Sequence, residues 1–290
     1  MTRFGLLMFA TDYAIEPQTL AQQAEMFGFE SLFLPEHTHI PASRKSPWPG
    51  GAELPKEYWH TFDPFVALAM AATVTQTLKL GTGISLVTER DPILMAKQVA
   101  TLDHLSDGRL ILGIGAGWNA EEMENHGTPF AKRWPLLRER TLAMREIWQH
   151  EEPEFHGEFV NFDKLWSYPK PKQVGGPPIL MGASSKYTYD RIAEYADGWM
   201  PIYQNQARRQ ASGGVDYADG IAKTKQAWEA RGRTGQPQFS IFGVGPDRRA
   251  VAELVELGFD RILFALPAAT ADEVLPMVEK YAAIAHEFSA

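Results

Sequence analysis

The 290-residue chain contains no cysteine, which excludes disulfide bonds, thiolate metal sites and a cysteine nucleophile. It lacks any apolar run near the roughly 20 residues that span a bilayer. The stretch Met1–Met8 carries neither the basic region nor the cleavage site of a secretory signal. A soluble, cytoplasmic protein is therefore expected. Basic excess is missing too: the net charge is -8, its signs are interspersed, and nucleic acid, which needs a basic stripe, is not an expected partner. Small molecules are the expected partners, and redox work would need a bound cofactor.

What the chain has is rhythm. Short apolar runs alternate with helical-period segments from end to end, the pattern of βα units around a parallel sheet. The candidate strands are Arg3–Phe9, Ser31–Pro35, Leu78–Ile84, Leu110–Ile114, Pro178–Met181, Gly198–Pro201, Phe239–Gly243 and Arg261–Ala265. Several are apolar without alternation, as strands covered on both faces should be. Between them, Pro17–Gly28 carries Leu20, Ala24 and Phe27 on one stripe, and Asp247–Gly258 carries Val251, Leu254 and Val255. This predicts an α/β fold, a single (β/α)8 barrel domain over residues 1–290. Gly28, Gly108, Gly198 and Gly258 enter four of the strands and are expected to cap the preceding helices in the left-handed conformation. Two long connections interrupt the rhythm. Thr38–His60 follows the second strand and would lie over the catalytic end, as a lid or as a disordered segment. Glu151–Gly176 is expected to form a hairpin and loop before the fifth strand.

In such a barrel the working residues project from the strands' carboxyl ends. Strand two ends in Pro35-Glu36-His37-Thr38-His39, where a histidine can transfer a proton or hydrogen-bond a ring, or simply sit on a polar rim. The His37-Thr38-His39 spacing is a weak metal signal, and no metal site is assigned. Strand three gives Gly81-Thr82-Gly83-Ile84-Ser85, which reads as a ligand-approaching backbone or an ordinary turn. Strand four exits through Gly113-Ile114-Gly115-Ala116-Gly117-Trp118-Asn119-Ala120-Glu121-Glu122. A dinucleotide fingerprint fits this poorly, since the final glycine and a ribose-binding acid are not in place. Either the small residues let Trp118 and Asn119 approach a planar ring, or they pack tightly before an Asn119–Glu122 helix cap. Strand five ends in Met181-Gly182-Ala183-Ser184-Ser185 before the helical stretch Lys186–Ala196, an arrangement suited to a phosphate or to plain capping. The aromatic residues Trp48, Trp59, Phe155 and Trp166 of the two long connections suggest an apolar substrate pocket or, equally, surface packing.

The block Gln98-Val99-Ala100-Thr101-Leu102-Asp103-His104-Leu105-Ser106-Asp107-Gly108-Arg109, continuing into Gly113–Trp118, resembles the luciferase-like superfamily of flavin monooxygenases and deazaflavin (coenzyme F420) oxidoreductases. Gly182–Ser185 and Ala193-Glu194-Tyr195-Ala196-Asp197-Gly198-Trp199 support it, and the resemblance covers nearly the whole chain. It implies a TIM barrel with insertions after strand two and before strand five. It further implies that His37, with Glu36, lies by the reactive ring, and that Thr82, Gly83 and Ile84 form a wall with a cis Gly83–Ile84 peptide. Gly117, Trp118 and Asn119 would flank the ring, and Gly182, Ala183, Ser184 and Ser185 would hold its phosphate. Sugar-phosphate-oxidising relatives use a carboxylate near the position of Trp118, and its absence speaks against such a substrate. The Gly117–Glu122 segment is more similar to the F420 enzymes. FMN with oxygen, supplied by a partner flavin reductase, is the alternative, and a non-catalytic flavin-binding barrel is the second. Family habit implies a homodimer.

Overall fold

The computed structural model describes residues 1–51, 53–205 and 214–289. Eleven strands are present among these: β1 (Arg3–Leu7), β2 (Ser31–Leu34), β3 (Lys79–Thr82), β4 (Ser85–Leu86), β5 (Leu110–Gly115), β6 (Phe155–His156), β7 (Asn161–Phe162), β8 (Ile179–Met181), β9 (Gly198–Trp199), β10 (Gln238–Val244) and β11 (Arg261–Ala265). Nine of them form one sheet in the order β3-β2-β1-β11-β10-β9-β8-β5-β4, and β3 also pairs with β5, which closes the ring. Neighbours in it run parallel. β3 and β4 are two halves of one barrel strand, separated by the cis Gly83–Ile84 peptide, so the closed ring has the eight positions expected. The fold is a (β/α)8 barrel.

Burial on both faces explains why these runs are strands. All residues of β2, β5 and β8 are buried. One face packs on the surrounding helices; the other fills the barrel, where Leu7, Phe33, Ile111, Leu180, Met200 and Leu263 form a separate apolar cluster with Ile84 and Phe242 against it. Helix starts between the strands are set by side-chain caps. Asp63, Asp91 and Asp247 accept from the first free amides of Pro64–Thr73, Pro92–Leu105 and Arg248–Glu256.

The strand-entry glycines divide. Gly28, Gly108 and Gly258 have φ of 82°, 77° and 85°, as left-handed caps require. Gly198 does not adopt a positive φ; its reason is contact, because a Cβ there would collide with the Gln238 carbonyl of the neighbouring strand. The insertion before the fifth barrel strand contains the expected hairpin, β6 against β7 in antiparallel register with Phe155 opposite Phe162. Of the Thr38–His60 connection, position 52 lies outside the described residues. Its last part forms the helix Glu57–His60, and it is pinned to the helix Ala120–Asn125, which follows β5, by Ser46 N–H on Glu121 Oε2 at 2.7 Å.

At the amino ends of the strands, Arg261 donates Nε to Glu30 Oε2 at 2.8 Å and Nη2 to Glu30 Oε1 at 2.6 Å, joining β11 to the residue before β2. Burial would raise the Glu30 carboxyl, but the Arg261 hydrogen bonds and charge, with Ser31 and Arg3, outweigh it and hold the group below its ordinary value. Breaking a buried pair by removing one partner costs about 3 kcal/mol. Arg261→Met is expected to lower unfolding free energy by that order, checked by guanidinium titration. Because the Glu30 value is depressed, the stabilisation is present above the ordinary carboxyl range and is lost as pH falls through the lowered value.

Candidate active site

The carboxyl ends of the strands surround a cavity of about 410 Å³, within the range of small-molecule and cofactor sites. Its floor is the inner apolar cluster, reaching it through Leu7, Ile84 and Phe242. Of the residues singled out from the sequence, Glu36, His37, Gly83, Ile84, Gly117, Trp118, Gly182, Ala183, Ser184 and Ser185 line it. Thr82 does not; its hydroxyl donates to the Gly113 carbonyl at 2.8 Å inside the barrel. Asn119 is buried behind the wall, where its Oδ1 accepts from Glu122 N–H at 3.3 Å as the helix cap. Its Nδ2 has no partner among the described residues.

His37 is the most directed group. Its Nδ1 lies 2.7 Å from Glu122 Oε2, with side-chain exposures of only 6% and 1%. A carboxylate accepts only, so Nδ1 carries the hydrogen of this bond, and Nε2 lies on the other side of the ring. Glu122 is held in turn by Thr38 N–H at 3.0 Å. In a full capping box Glu122 would fold back toward Asn119; here its carboxylate turns to the β2 end instead. The His37 ring stands edge-on to Trp118 at 5.7 Å and tilted against Tyr58 at 5.2 Å. Burial pushes the Tyr58 phenol up, against a smaller opposing effect from its bond to Trp48, so Tyr58 meets the cavity as a neutral hydroxyl.

Glu36 is fully engaged by protein. Its Oε2 accepts from Ser85 Oγ at 2.5 Å and Leu86 N–H at 2.8 Å, and its Oε1 from Arg90 Nε at 2.6 Å. It therefore ties the β2 end to β4 just beyond the Gly83–Ile84 peptide. Arg90 also reaches Asp63 at 2.5 Å and Gln98 at 3.1 Å. Beside this pair lies Glu89, buried, with neither carboxyl oxygen partnered by a donor among the described residues. Burial foremost, then the charges of Glu122 and Glu36, push its carboxyl up to about 9. Two facing carboxylates have no donor between them, and a proton retained on Glu89 turns the Glu89–Glu122 contact into an O–H to O bond.

The glycines around the cavity fit different things. Gly113 is small because a Cβ would strike the Thr82 carbonyl, and at Gly115 or Gly182 a Cβ would strike Ile84. Gly117, with φ of 73°, turns the chain into the helix Ala120–Asn125. The Gly182–Ser185 loop is fixed from β9 by Trp199 Nε1 on the Ala183 carbonyl at 2.7 Å. The helix after it begins at Thr188, later than the sequence suggests. Ser185 N–H is taken by Thr188 Oγ1 at 2.9 Å, so the loop offers the exposed Ser184 and Ser185 side chains rather than this amide.

A largely apolar cavity with a hydroxyl-bearing loop and a held histidine in its wall fits a planar ring with an anionic tail. Sequence reasoning missed Glu89, Tyr58 and Trp134, which also lines the cavity. It read Glu122 as a cap. Trp59 and Trp166 are on the surface. Among the described residues no group of three His, Asp or Glu is placed to hold a metal.

Fold and cavity together define a (β/α)8 barrel with a pocket at the carboxyl ends of its strands. Residues 11–274 match the luciferase-like monooxygenase family, and the chain belongs to it. It is 40% identical over 283 residues to an uncharacterised protein of Mycobacterium tuberculosis, covering 97% of each chain. An F420-dependent hydroxymycolic acid dehydrogenase of the same organism is 28% identical over 243 residues, 82% of this chain and 61% of that one. The crystal structure of monooxygenase RslO1 from Streptomyces bottropensis superposes with a TM-score of 0.82 at 19% identity, covering 100% of both chains.

Glu89 gives a stability test. Unfolded, its carboxyl ionises near 4.5, whereas folded it keeps its proton to about 9. The native state binds the extra proton over that interval, so the contribution of Glu89 to stability falls as pH rises through it. Glu89→Gln is expected to melt close to wild type at pH 5 and above it at pH 8. A Tm–pH profile for both proteins checks this, and parallel curves would refute it.

Proposed function

We propose that this chain is an oxidoreductase that moves hydride between coenzyme F420 and a small organic substrate. His37 is its proton-transfer residue. The observation that carries this reading is the Glu122-held imidazole, whose Nε2 is left for a molecule in a slot walled by Gly83–Ile84 and Trp118. Similarity to an F420-dependent dehydrogenase over most of the chain supports the choice of cofactor, as does the Gly117–Glu122 segment.

Ile84, Gly83, Gly117 and Trp118 would hold the ring, and Ser184 and Ser185 the phosphate. Arg191 stacks 3.9 Å from Trp134 at the cavity edge and adds positive charge for the anionic tail. When bound, the deazaflavin supplies a ring carbon that accepts or gives hydride. His37 Nε2 takes the hydroxyl proton of a substrate being oxidised, and Glu122 keeps the imidazole in the required tautomer and orientation. Leu7, Phe9, Pro49, Tyr58 and Ile202 give the remaining wall an apolar character, favouring an apolar substrate and excluding water. Glu36, its lone pairs consumed by Arg90, Ser85 and Leu86, positions His37 and does not itself exchange protons.

The chain is further proposed to work as a homodimer, self-associating through the groove between helices Pro64–Thr73 and Pro92–Leu105, where Val66, Met70 and Leu105 are exposed. Sedimentation equilibrium is expected to give a dimer for wild type and a monomer for the Val66→Glu, Leu105→Glu double variant.

Fluorescence titration is expected to show F420 binding at least about tenfold tighter than FMN, roughly 1.4 kcal/mol. Equal or tighter FMN binding, with oxygen uptake on adding reduced FMN, would overturn the cofactor. His37→Ala is expected to reduce kcat by about a hundredfold or more while cofactor affinity changes little. Unchanged turnover removes the proton role.

A further inference from the structure

We propose that the side of His37 turned away from the cavity opens onto a proton line, through Glu122 and Glu89 to a second, polar cavity. By it the imidazole exchanges its proton while the barrel mouth is filled. The inference rests on the reading of His37 as the proton-transfer residue, and it adds Glu122 and Glu89 as relay and positioning residues.

The need for such a line follows from burial. His37 is 8% exposed, and its Nε2 side is the side that cofactor and substrate occupy. A proton taken there during turnover has no way back to water until the site empties, unless it leaves from Nδ1. Nδ1 meets Glu122 Oε2. The Glu122 carboxyl meets Glu89, whose oxygens are buried and have no other donor. Glu89, its carboxyl oxygens sealed in the resting structure, stands in the wall of a cavity of about 230 Å³ bounded also by Thr38, Asp63, Arg90, Gln98 and His126. That volume holds several waters, and it shares no lining residue with the active cavity. A side branch joins the same exit: Thr38 Oγ1 lies 3.5 Å from Glu122 Oε1 and 2.7 Å from Nε2 of the exposed His126.

The groups facing Glu89 set its behaviour. Glu122 comes from helix Ala120–Asn125, Glu36 from the β2 end, Arg90 and Asp91 follow it in the chain, and Asp63 and His126 stand across the second cavity. Arg90 is spent on Glu36 and Asp63, so Glu89 keeps a proton, and the Glu89–Glu122 pair holds one proton for two carboxyls. In the oxidising direction one proton enters His37 at Nε2 and one leaves from Nδ1 to Glu122 Oε2. When its side chain turns toward the second cavity, Glu89 releases its proton there, and on returning it receives the one Glu122 has gained. No electrons move along the line, and each group ends as it began.

The test uses the full chain with 15N-labelled histidine, without cofactor and with saturating coenzyme F420. NMR measures exchange of the His37 Nδ1 hydrogen with water, and infrared difference spectra of wild type against Glu89→Gln measure the protonated carboxyl. Expected are a carboxylic-acid band at pH 7 that Glu89→Gln lacks, wild-type exchange that persists with F420 bound, and exchange slowed about tenfold in Glu89→Gln. Thr38→Val, which keeps its backbone bond to Glu122, is expected to slow exchange less. No carboxylic-acid band at pH 7, exchange unaltered in Glu89→Gln, or exchange abolished in wild type by bound F420 would overturn the line. Should Glu89→Gln fail to fold, the wild-type carboxylic-acid band and wild-type exchange under F420 decide it. Fast, Glu89-dependent exchange in a protein whose turnover survives His37→Ala keeps the line and removes only the proposed function. Turnover that needs His37, with exchange indifferent to Glu89, does the reverse.

Discussion

The charge of Arg90 is the constraint from which the site follows. Burial would lower its guanidinium, and the charges and hydrogen bonds of Glu36 and Asp63 more than offset this. The cation is thereby committed to two carboxylates while Glu89 and Glu122 stand close by. A desolvated region cannot hold that much uncompensated negative charge. One carboxyl is therefore neutral, and Glu89, with no donor of its own, is the one. The same guanidinium keeps Glu36 clamped on Ser85 and Leu86, which brings the second half of the broken strand to the end of β2 and sets His37, the next residue, at the cavity wall.

The architecture was legible because it is written locally. Runs such as Leu110–Ile114 are apolar on both faces and short, as a strand sandwiched between a barrel interior and helices should be. The cis peptide was legible only through resemblance, since Gly83 and Ile84 alone also suit an ordinary turn. The rear of the site was not legible. Glu122 and His37 are 85 positions apart, and the capping pattern Asn119–Glu122 gave Glu122 a sufficient local explanation that the fold sets aside. Glu89 stands in the short turn Val87–Glu89, where an acidic residue reads as solvent-exposed. Its burial comes from helix Ala120–Asn125 and the β2 end closing over it, and no local pattern carries that information.

The lining of the cavity shows the same division. Trp118 and Ser184–Ser185 follow directly from strands and could be found by walking off each strand end. Tyr58 and Pro49 belong to a connection whose path the sequence leaves open, so the aromatic chosen by composition, Trp59, is at the surface while its neighbour enters the site. Family membership narrows the chemistry to that of luciferase-like enzymes; the buried carboxyl pair belongs to this chain's own side chains.

Ile84 draws a further consequence from the broken strand. Its side chain occupies the space that a Cβ at Gly115 or at Gly182 would need, so two separate strand ends are sized against a single branched side chain from a third. Substitutions at these positions should be strongly non-additive: alanine at 115 or 182 is tolerable only beside a smaller residue at 84, and reshaping this slot in evolution or by design must proceed through paired changes.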